Sequence, residues 1–187
     1  MKIRVARAED GQDVAEIYAP IVENTFISFE ETPPSAREMS RRIETTFQTH
    51  PWLVAEENGA VAAYAYATAH RSRAAYKWSC DVSVYVAGHA RRQGLANKLY
   101  TRLFATLINQ GFGSVFAGIA LPNEASVGAH ERMGFQPVGI YPNVGFKNGS
   151  WRDVGWWSRS LQKLGNAPSA PLPFASNQDC FAPAHSD

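Results

Sequence analysis

A short turn rich in positive charge separates a strand pattern from a helix pattern near the middle of the sequence. Arg91 and Arg92 lie in this turn, and Gly94 follows where the helix pattern begins. A glycine at this point lets a ligand approach the backbone closely. The first amides of a helix have no partner within the helix, and with the helix dipole they favour an anion. Because the arginines add positive charge beside these amides, the turn is predicted to bind a phosphate group.

The elements on either side of the turn are regular enough to hold it in place. Residues 82–86 alternate valine with Ser83 and Tyr85, which is typical of a β-strand. Leucine recurs at every fourth position from Leu95 to Leu107, which predicts a helix with one face towards the core. The turn is therefore expected at the junction of a strand and the helix that follows it.

The composition limits the classes of function that the chain can have. Its 187 residues suit one domain with a substantial core, and 45% hydrophobic and 19% charged residues are usual in soluble globular proteins. A net charge of +1 predicts neither a nucleic-acid partner nor a membrane partner. The sequence opens with a strand pattern rather than a signal peptide and contains no run long enough to span a membrane, so we expect a cytoplasmic location.

The cysteines do not suggest a metal or redox site. Cys80 and Cys180 lie far apart, in no spacing typical of either. We therefore expect free thiols in a reducing compartment and no bound metal.

The periodicity along the chain predicts a mixed α/β fold. The expected order is β-α-α-β-β-β-α-β-α-β-β, which makes a partly antiparallel sheet. Residues 1–163 form one domain in this interpretation, and residues 164–187, rich in Pro, Ala and Ser, form a solvated or loosely packed tail. Asp10 is expected to cap the first helix, and Ile27 is expected in the core.

The turn and a second stretch resemble two motifs of one enzyme superfamily. The spacing Arg91-x-x-Gly94-x-Ala96 is similar to (Q/R)-x-x-G-x-(G/A), the pyrophosphate-binding signature of the GNAT N-acetyltransferases. Residues 123–135 resemble a later motif of these enzymes, N-x-x-(S/A)-x-x-x-(Y/H)-E-x-x-G-F. The first motif alone also fits an ordinary turn with a tolerated glycine. With both motifs in this order, the chain is identified as a member of the superfamily.

Further stretches are similar to the phosphinothricin N-acetyltransferase branch, whose enzymes also act on methionine sulfone and methionine sulfoximine. These stretches are residues 73–78, 83–86, 121–123 and 145–155. The resemblance runs from Ile3 to Leu161. It implies the GNAT fold, with a splayed and partly antiparallel central sheet, acetyl-CoA as co-substrate, and a homodimer.

The resemblance also assigns residues to the coenzyme. The diphosphate of acetyl-CoA is expected on the turn, and the pantetheine arm is expected along the strand before it and beside the asparagine of the second motif. The expected coenzyme-binding residues are Val84, Tyr85, Val86, Arg91, Arg92, Gln93, Gly94, Leu95, Ala96 and Asn123.

Two residues are expected to handle protons, because acetylation needs a neutral amine and a proton for the departing sulfur. Asp81 is interpreted as the base, and a salt bridge or local turn is the alternative. The phosphinothricin N-acetyltransferases usually have the longer glutamate at this position, so a bridging water could complete the proton path from the amine to Asp81. His130 is interpreted as a second base or as the acid for the sulfur, and a packed histidine is the alternative. Cys80 is not expected to carry an acyl group, since the sequence places no histidine beside it.

Four residues are candidates for binding the acceptor. Arg73 suits a carboxylate or phosphinate and Tyr76 can add a hydrogen bond, whereas a solvated arginine and a core tyrosine are the alternatives. Phe29 could belong to the core or to a pocket wall. Lys147 could bind the substrate or be a surface charge on a hairpin.

These interpretations predict an N-acetyltransferase that uses acetyl-CoA and acts on the α-amine of a small amino acid analogue. Phosphinothricin, methionine sulfone and methionine sulfoximine are the expected acceptors, attacked directly in a ternary complex. One alternative is another small-molecule or peptide amine, such as a polyamine or a peptide N-terminus. A second alternative is a sensor that binds acetyl-CoA without turnover, against which Asp81 and His130 both argue.

Overall fold

The computed structural model describes residues 1–176 and 181, so Cys180 and the other tail residues from 177 onwards, apart from 181, lie outside the described residues. The elements within them are β1 (Lys2–Val5), α1 (Gly11–Asn24), α2 (Ala36–Phe47), β2 (Trp52–Glu57), β3 (Ala60–Ala69), β4 (Ser79–Val86), α3 (Leu95–Gln110), β5 (Ser114–Leu121), α4 (Glu124–Arg132), β6 (Gln136–Lys147) and β7 (Ser150–Ser160). The predicted order of elements and the mixed α/β class are confirmed. No helix in the described part is both long and apolar enough to cross a membrane.

The strands form one sheet in the order β1-β2-β3-β4-β5-β7-β6. Neighbouring strands are antiparallel except β4 and β5, which run parallel and are connected through α3. Two tight hairpins turn at Asn58–Gly59 and Asn148–Gly149, where all four residues have the positive φ that a two-residue hairpin turn favours. The chain therefore crosses over the sheet twice: through α3 between the paired parallel strands β4 and β5, and through α4 between β5 and β6, which run parallel on either side of β7.

Helices cover both faces of the sheet. On one face lie α1 and α2, and the ring of Tyr18 meets that of Tyr85 edge-on, with centroids 5.0 Å apart. The helices α3 and α4 lie on the other face, because right-handed crossovers place successive connecting helices on the same side. The predicted core-facing leucines Leu99, Leu103 and Leu107 are fully buried. The turn before α3 is thus attached to a helix that is firmly packed.

An ion-pair cluster links β1 to the start of α1. The guanidinium nitrogens of Arg4 lie 2.7 Å from both carboxylate oxygens of Asp10 and 2.7 Å from Glu56 on β2. The side chain of Asp10 makes no capping hydrogen bond to α1. The prediction that Asp10 caps α1 is therefore wrong, because a two-pronged bond to a guanidinium is stronger than a cap.

The described part of the C-terminal tail packs against the domain. The fully buried ring of Phe174 meets Phe47 of α2 edge-on, with centroids 5.3 Å apart. The N–H of Leu172 donates to the Gln110 carbonyl at 2.8 Å, and the Leu172 carbonyl accepts from Gln110 Nε2 at 2.7 Å. The prediction of a solvated or loosely packed tail is therefore wrong at Phe174, which is buried in the domain, whereas residues 164–167 are exposed. The composition of the tail does not reveal this packing. One aromatic residue changes the average hydrophobicity of the segment little, but burying its ring removes a large apolar area from water.

Candidate active site

The strands β4 and β5 separate soon after they begin. They form three residue pairs, the last of which joins Asp81 to Phe116, although β4 continues to Val86 and β5 to Leu121. Over the rest of its length β4 remains paired with β3. An opening therefore forms between β4 and β5, and Asp81 lies at its closed end.

Part of the β4 backbone faces this opening. The N–H of Ala87, just after β4, donates to the Ala62 carbonyl of β3 at 2.9 Å. Alternate residues of a strand direct their backbone groups to opposite sides. Val84 and Val86 therefore direct theirs away from β3 and into the opening, whereas the backbone of Tyr85 is directed towards β3. The opening can bind an extended ligand through main-chain hydrogen bonds.

Asp81 is joined to a histidine that the sequence analysis did not single out. His70 Nδ1 lies 2.6 Å from Asp81 Oδ1. Burial raises the pKa of Asp81, and the hydrogen bond from His70 opposes this shift. His70 follows β3 directly, and Ala69 pairs with Cys80, so antiparallel pairing brings His70 beside the start of β4. The sequence carries no signal for this contact, because it depends on the register of two strands.

Aromatic rings surround the imidazole of His70. It stacks on Phe116 with centroids 4.3 Å apart, and it meets Tyr76 and Trp156 edge-on at 6.0 Å each. The guanidinium of Arg71 lies 5.4 Å from the centroid of Trp156 and donates to the His70 carbonyl at 2.7 Å. The imidazole therefore lies in a partly apolar environment beside one positive charge.

The predicted acceptor residues Arg73 and Tyr76 lie on the loop that follows His70. Both are exposed, and both line a cavity of about 240 Å³ to which the C-terminal tail also contributes. Trp78, at the end of the loop, donates from Nε1 to the Ser169 carbonyl at 2.8 Å, so the tail also holds the loop. The structure therefore brings Tyr76 beside His70 and places Arg73 in the same cavity wall.

Lys147 is buried rather than exposed. Its Nζ donates to the carbonyls of Val22 at 2.7 Å and Ser28 at 2.9 Å, and to that of Glu30. An ammonium has three N–H donors, so all of them are used in holding the end of β6 against the loop after α1. Both predictions for Lys147, an acceptor ligand and a surface charge, are therefore wrong. The carbonyls that enclose it are remote in sequence, which is why the hairpin pattern does not reveal them.

Phe29 and Ile27 lie on that same loop. They are 39% and 43% exposed. The core position expected for Ile27 is therefore wrong, because the bend after α1 leaves this side chain at the surface. Phe29 packs on Gly145 of β6, where a larger residue would collide with its ring. Its predicted part in a pocket wall stays a prediction.

The turn before α3 has the backbone form of an anion site. Residues 91–94 are exposed, and Arg92 and Gly94 have positive φ values of 61° and 75°. Gly94 begins α3 without a capping side-chain hydrogen bond, and the buried Leu95 anchors the helix start. The first amides of α3 are thus not engaged by a capping side chain and are suited to an anion.

Asn123 caps α4. Its Oδ1 accepts from the N–H of Ser126 at 3.1 Å. With Pro122 and Asp153, among others, it lines a cavity of about 560 Å³ at the end of β5. The structure thus assigns Asn123 a role in starting α4, and its predicted contact with the coenzyme arm stays a prediction.

His130 lies in the core, where it is 6% exposed. Its Nδ1 donates to the Ser126 carbonyl at 2.8 Å, which leaves Nε2 to accept from the hydroxyl of Tyr100 at 3.2 Å. The ring meets Phe135 edge-on, with centroids 5.1 Å apart. Burial lowers the pKa of His130, against the opposing effect of Ser126. Both nitrogens are satisfied in the neutral form, so the structure favours the packing alternative over proton transfer.

Two further features limit the chemistry of the site. Cys80 is fully buried, and burial raises the pKa of its thiol, so it is neither exposed nor ionised as a nucleophile must be. Across residues 1–176 and 181, no group of three His, Cys, Asp or Glu side chains is placed to hold a metal ion. Asp81 and His70 meet at the closed end of the opening, and the ring of Tyr76 lies edge-on to that of His70.

Known proteins share this architecture. Residues 3–156 match the acetyltransferase (GNAT) domain family. The chain is 38% identical over 173 residues to a phosphinothricin N-acetyltransferase from Streptomyces viridochromogenes, covering 92% of each chain. It is 33% identical over 168 residues to an L-methionine sulfoximine/L-methionine sulfone acetyltransferase from Pseudomonas aeruginosa, covering 89% of this chain and 98% of that one. The crystal structure of a GNAT superfamily phosphinothricin acetyltransferase from Sinorhizobium meliloti in complex with acetyl-CoA superposes with a TM-score of 0.84, at 36% identity, over 90% of this chain and 92% of that one.

The chain therefore belongs to the GNAT acetyltransferase family. It is an acetyl-CoA-dependent N-acetyltransferase, as the resemblance of its two motifs predicts, and acetyl-CoA is its co-substrate.

Replacing His130 by phenylalanine distinguishes packing from proton transfer. The variant leaves the buried hydroxyl of Tyr100 without a partner, so we expect the free energy of unfolding to fall by about 2 kcal/mol at pH 8. Because the pKa of His130 is lowered on folding, the unfolded chain binds more protons. Wild-type stability therefore falls as the pH decreases below about 6.5, and the variant lacks this part of the fall.

Urea unfolding at pH 8, 6.5 and 5 measures both effects, and the pH–rate profile of acetyl transfer is recorded beside it. His50, whose pKa burial lowers to about 4, contributes equally to both proteins and cancels in the difference. We expect the low-pH limb of the rate profile to persist in His130→Phe. Unchanged stability together with a flattened limb would restore the proton-transfer role.

Proposed function

We propose that this enzyme transfers acetyl in the cytoplasm to the α-amine of a small amino acid analogue of the phosphinothricin or methionine sulfone and sulfoximine type. The amine attacks the thioester of acetyl-CoA directly while both substrates are bound. One observation carries the proposal: Asp81, a carboxylate with a 27% exposed side chain, lies where β4 and β5 part. Relatives similar over nearly their whole length are named for such acceptors, which supports this substrate class.

The diphosphate of the coenzyme binds the turn at residues 91–96 in this proposal. The amides at the start of α3 take its oxygens, and the exposed side chains of Arg91 and Arg92 add two positive charges. The start of α3 supports this assignment, because no side chain caps the helix at Gly94 and its first amides are left for a ligand.

The pantetheine arm lies along β4 in the same proposal. Val84 and Val86 supply the backbone groups for it, since these residues face the opening, and the arm passes near Asn123. Tyr85, which the sequence analysis listed among the coenzyme-binding residues, has a packing role in this proposal. Its backbone is directed towards β3, and its ring packs against Tyr18 in the core.

The acceptor binds on the loop between β3 and β4. Arg73 pairs with its carboxylate or phosphinate, and Tyr76 donates a hydrogen bond. The ring of Phe29 forms part of the apolar wall of the acceptor pocket. The exposed loop also carries Arg71 and Lys77 and contains no acidic residue between positions 70 and 77. This positive charge favours a small anionic acceptor over a cationic polyamine.

The reaction needs an amine that has lost a proton and a thioester held against it. The nitrogen bonds to the thioester carbon, the carbon–sulfur bond breaks, and the sulfur leaves as a thiol. Asp81, or a group bound to it, takes the proton from the ammonium. Because burial raises the pKa of Asp81, its carboxylate is a better base than one in water. Binding both substrates together makes the step effectively unimolecular.

We propose a homodimer formed through the β6–β7 hairpin. The strand β6 is an edge of the sheet, and large apolar side chains of the hairpin are exposed. They are Val138, Ile140, Tyr141, Val144, Phe146 and Trp151, each between 48% and 61% exposed. An apolar edge of this extent is suited to a partner, and a second copy offers a matching edge.

Thiol release from acetyl-CoA tests the acceptor class. Phosphinothricin, methionine sulfone, methionine sulfoximine, spermidine and a short peptide are offered separately. We expect release with at least one of the first three, because the acceptor loop is positively charged, and no release with spermidine. Release only with spermidine or the peptide, or with none of the five, contradicts this acceptor class.

Arg73→Ala tests the acceptor site with the best of these substrates. Loss of one charged hydrogen bond weakens the binding free energy of the acceptor by about 1.5 kcal/mol. We therefore expect the KM for the acceptor to rise about tenfold with little change in kcat. Arg37→Ala, which removes an exposed arginine of α2, is the matched control. Equal acceptor KM values in Arg73→Ala and its control reject the assignment.

A double substitution, Arg91→Ala with Arg92→Ala, tests the diphosphate site. We expect the Kd for acetyl-CoA to rise at least tenfold in calorimetry at fixed ionic strength, since charge-assisted contacts are lost. S-acetylpantetheine, which has no diphosphate, provides the comparison, and its weaker affinity should not change. An equal loss of affinity for both compounds would show that these arginines do not bind the diphosphate.

Ile140→Glu tests the proposed dimer. A charge on the exposed apolar edge is expected to convert a dimer into a monomer at micromolar concentration, because desolvating it opposes association. Sedimentation equilibrium measures the change, and Thr45→Glu on the exposed side of α2 is the control. A monomeric wild type, or a dimeric Ile140→Glu variant, rejects this interface.

A further inference from the structure

We propose that His70 is the group that takes the proton from the acceptor amine, and that Asp81 acts by holding the imidazole of His70. The inference rests on the proposed function and adds a catalytic residue to it. Asp81 becomes a positioning residue, in place of the direct base that its sequence position suggests.

The pair lies where the reacting groups meet in the proposed complex. His70 Nδ1 and Asp81 Oδ1 are 2.6 Å apart, and the two side chains are 12% and 27% exposed. Asp81 and Phe116 form the last pair before β4 and β5 separate. Since the imidazole stacks on Phe116 at 4.3 Å, it lies over the closed end of the opening.

The contact with Asp81 determines which nitrogen of His70 is basic. An ionised carboxylate only accepts hydrogen bonds, so the proton of the neutral imidazole is on Nδ1 and the lone pair is on Nε2. Within the described part of the chain, Nε2 makes no hydrogen bond, and it is not one of the buried polar atoms that lack a partner. A bound amine can therefore reach it.

The short carboxylate of Asp81 explains why a second group is needed. It has one methylene fewer than a glutamate, and its Oδ1 is already occupied by His70. The imidazole extends the reach of this carboxylate away from the β4 backbone. The carboxylate in turn stabilises the imidazolium that forms when Nε2 accepts a proton.

Charged and aromatic groups surround the imidazole of His70. Asp81 faces it from β4, and the hydroxyl-bearing ring of Tyr76 faces it from the following loop. The positive charge of Arg71 lies nearby on the ring of Trp156. Phe116 covers one face of the imidazole from β5. Asp81 is thus the negative charge beside the imidazole and Arg71 is the positive charge, while the ring of Phe116 keeps bulk water from the stacked face.

The proposed step balances without any further reactant. Nε2 takes one proton from the α-ammonium, and the freed lone pair bonds to the thioester carbon. The carbon–sulfur bond breaks, the nitrogen loses a second proton as it becomes an amide, and the departing sulfur takes one proton to become a thiol. One proton is released overall, and the imidazolium passes it to water to restore the neutral His70.

His70→Phe removes both nitrogens and keeps a ring to stack on Phe116. We expect kcat to fall about a hundredfold, as loss of a placed base does, while the Kd for acetyl-CoA in calorimetry does not change. The low-pH limb of the kcat/KM profile should be replaced by a steady rise with pH. Without a base on the enzyme, only acceptor that has already lost its proton in solution can react, and that fraction increases with pH. His70→Gln, which keeps a donor for Asp81 but has no basic nitrogen, should show the same loss.

A rescue experiment separates a base from a structural support. In the His70→Phe background, Asp81→Glu lengthens the carboxylate, and we expect at least tenfold recovery of kcat. Asp81→Asn in that background is the matched control and should give no recovery. A kcat and pH profile like those of the wild type in folded His70→Phe or His70→Gln overturns this inference and leaves the proposed function intact. Absence of thiol release by the wild type with every acceptor is the separate result that overturns the proposed function.

Discussion

The early separation of β4 and β5 is the constraint on which the rest of the site depends. Parallel strands in one sheet normally share hydrogen bonds along their length, whereas these share only three residue pairs. Backbone groups of Val84 and Val86 are left facing the opening, and such groups are costly to bury without a partner. A bound ligand with alternating donors and acceptors satisfies them. The same separation creates a partly buried corner at Asp81, where a carboxylate can be made more basic by its surroundings.

The partners of each titratable side chain decide what that side chain can do. Lys147 has given all its donors to backbone carbonyls, and it therefore acts as a clamp between β6 and the loop after α1. His130 has both nitrogens engaged in the core and is stable as a neutral ring. His70 differs because, among the described residues, only its Nδ1 is hydrogen-bonded, and its partner is a carboxylate. Residue type and motif position suggest chemistry, but hydrogen-bond partners distinguish a reactive group from a structural one.

The C-terminal tail connects packing far from the opening to the acceptor loop. Phe174 anchors the tail against α2, and Gln110 binds its backbone at the end of α3. The carbonyl of Ser169 in turn accepts from Trp78, which ends the loop that carries Arg73. The loop that carries Arg73 is therefore supported by a segment beyond residues 3–156, the part of the chain that matches the family model. In the proposed complex, the position of this loop as well as its residue types sets how an acceptor meets the imidazole of His70.

The sequence by itself determined what depends on near neighbours. Strand alternation at residues 82–86, the leucine repeat from Leu95 and the turn at Gly94 are set by residues a few positions apart, so the element order, the position of the turn before α3 and the family could be read from such local patterns. Only the tertiary structure decided which distant groups touch. Strand register joined His70 to Asp81, and folding across more than a hundred residues enclosed Lys147 in carbonyls. Such contacts leave no local periodicity, because their energy comes from groups that meet only after the chain has folded.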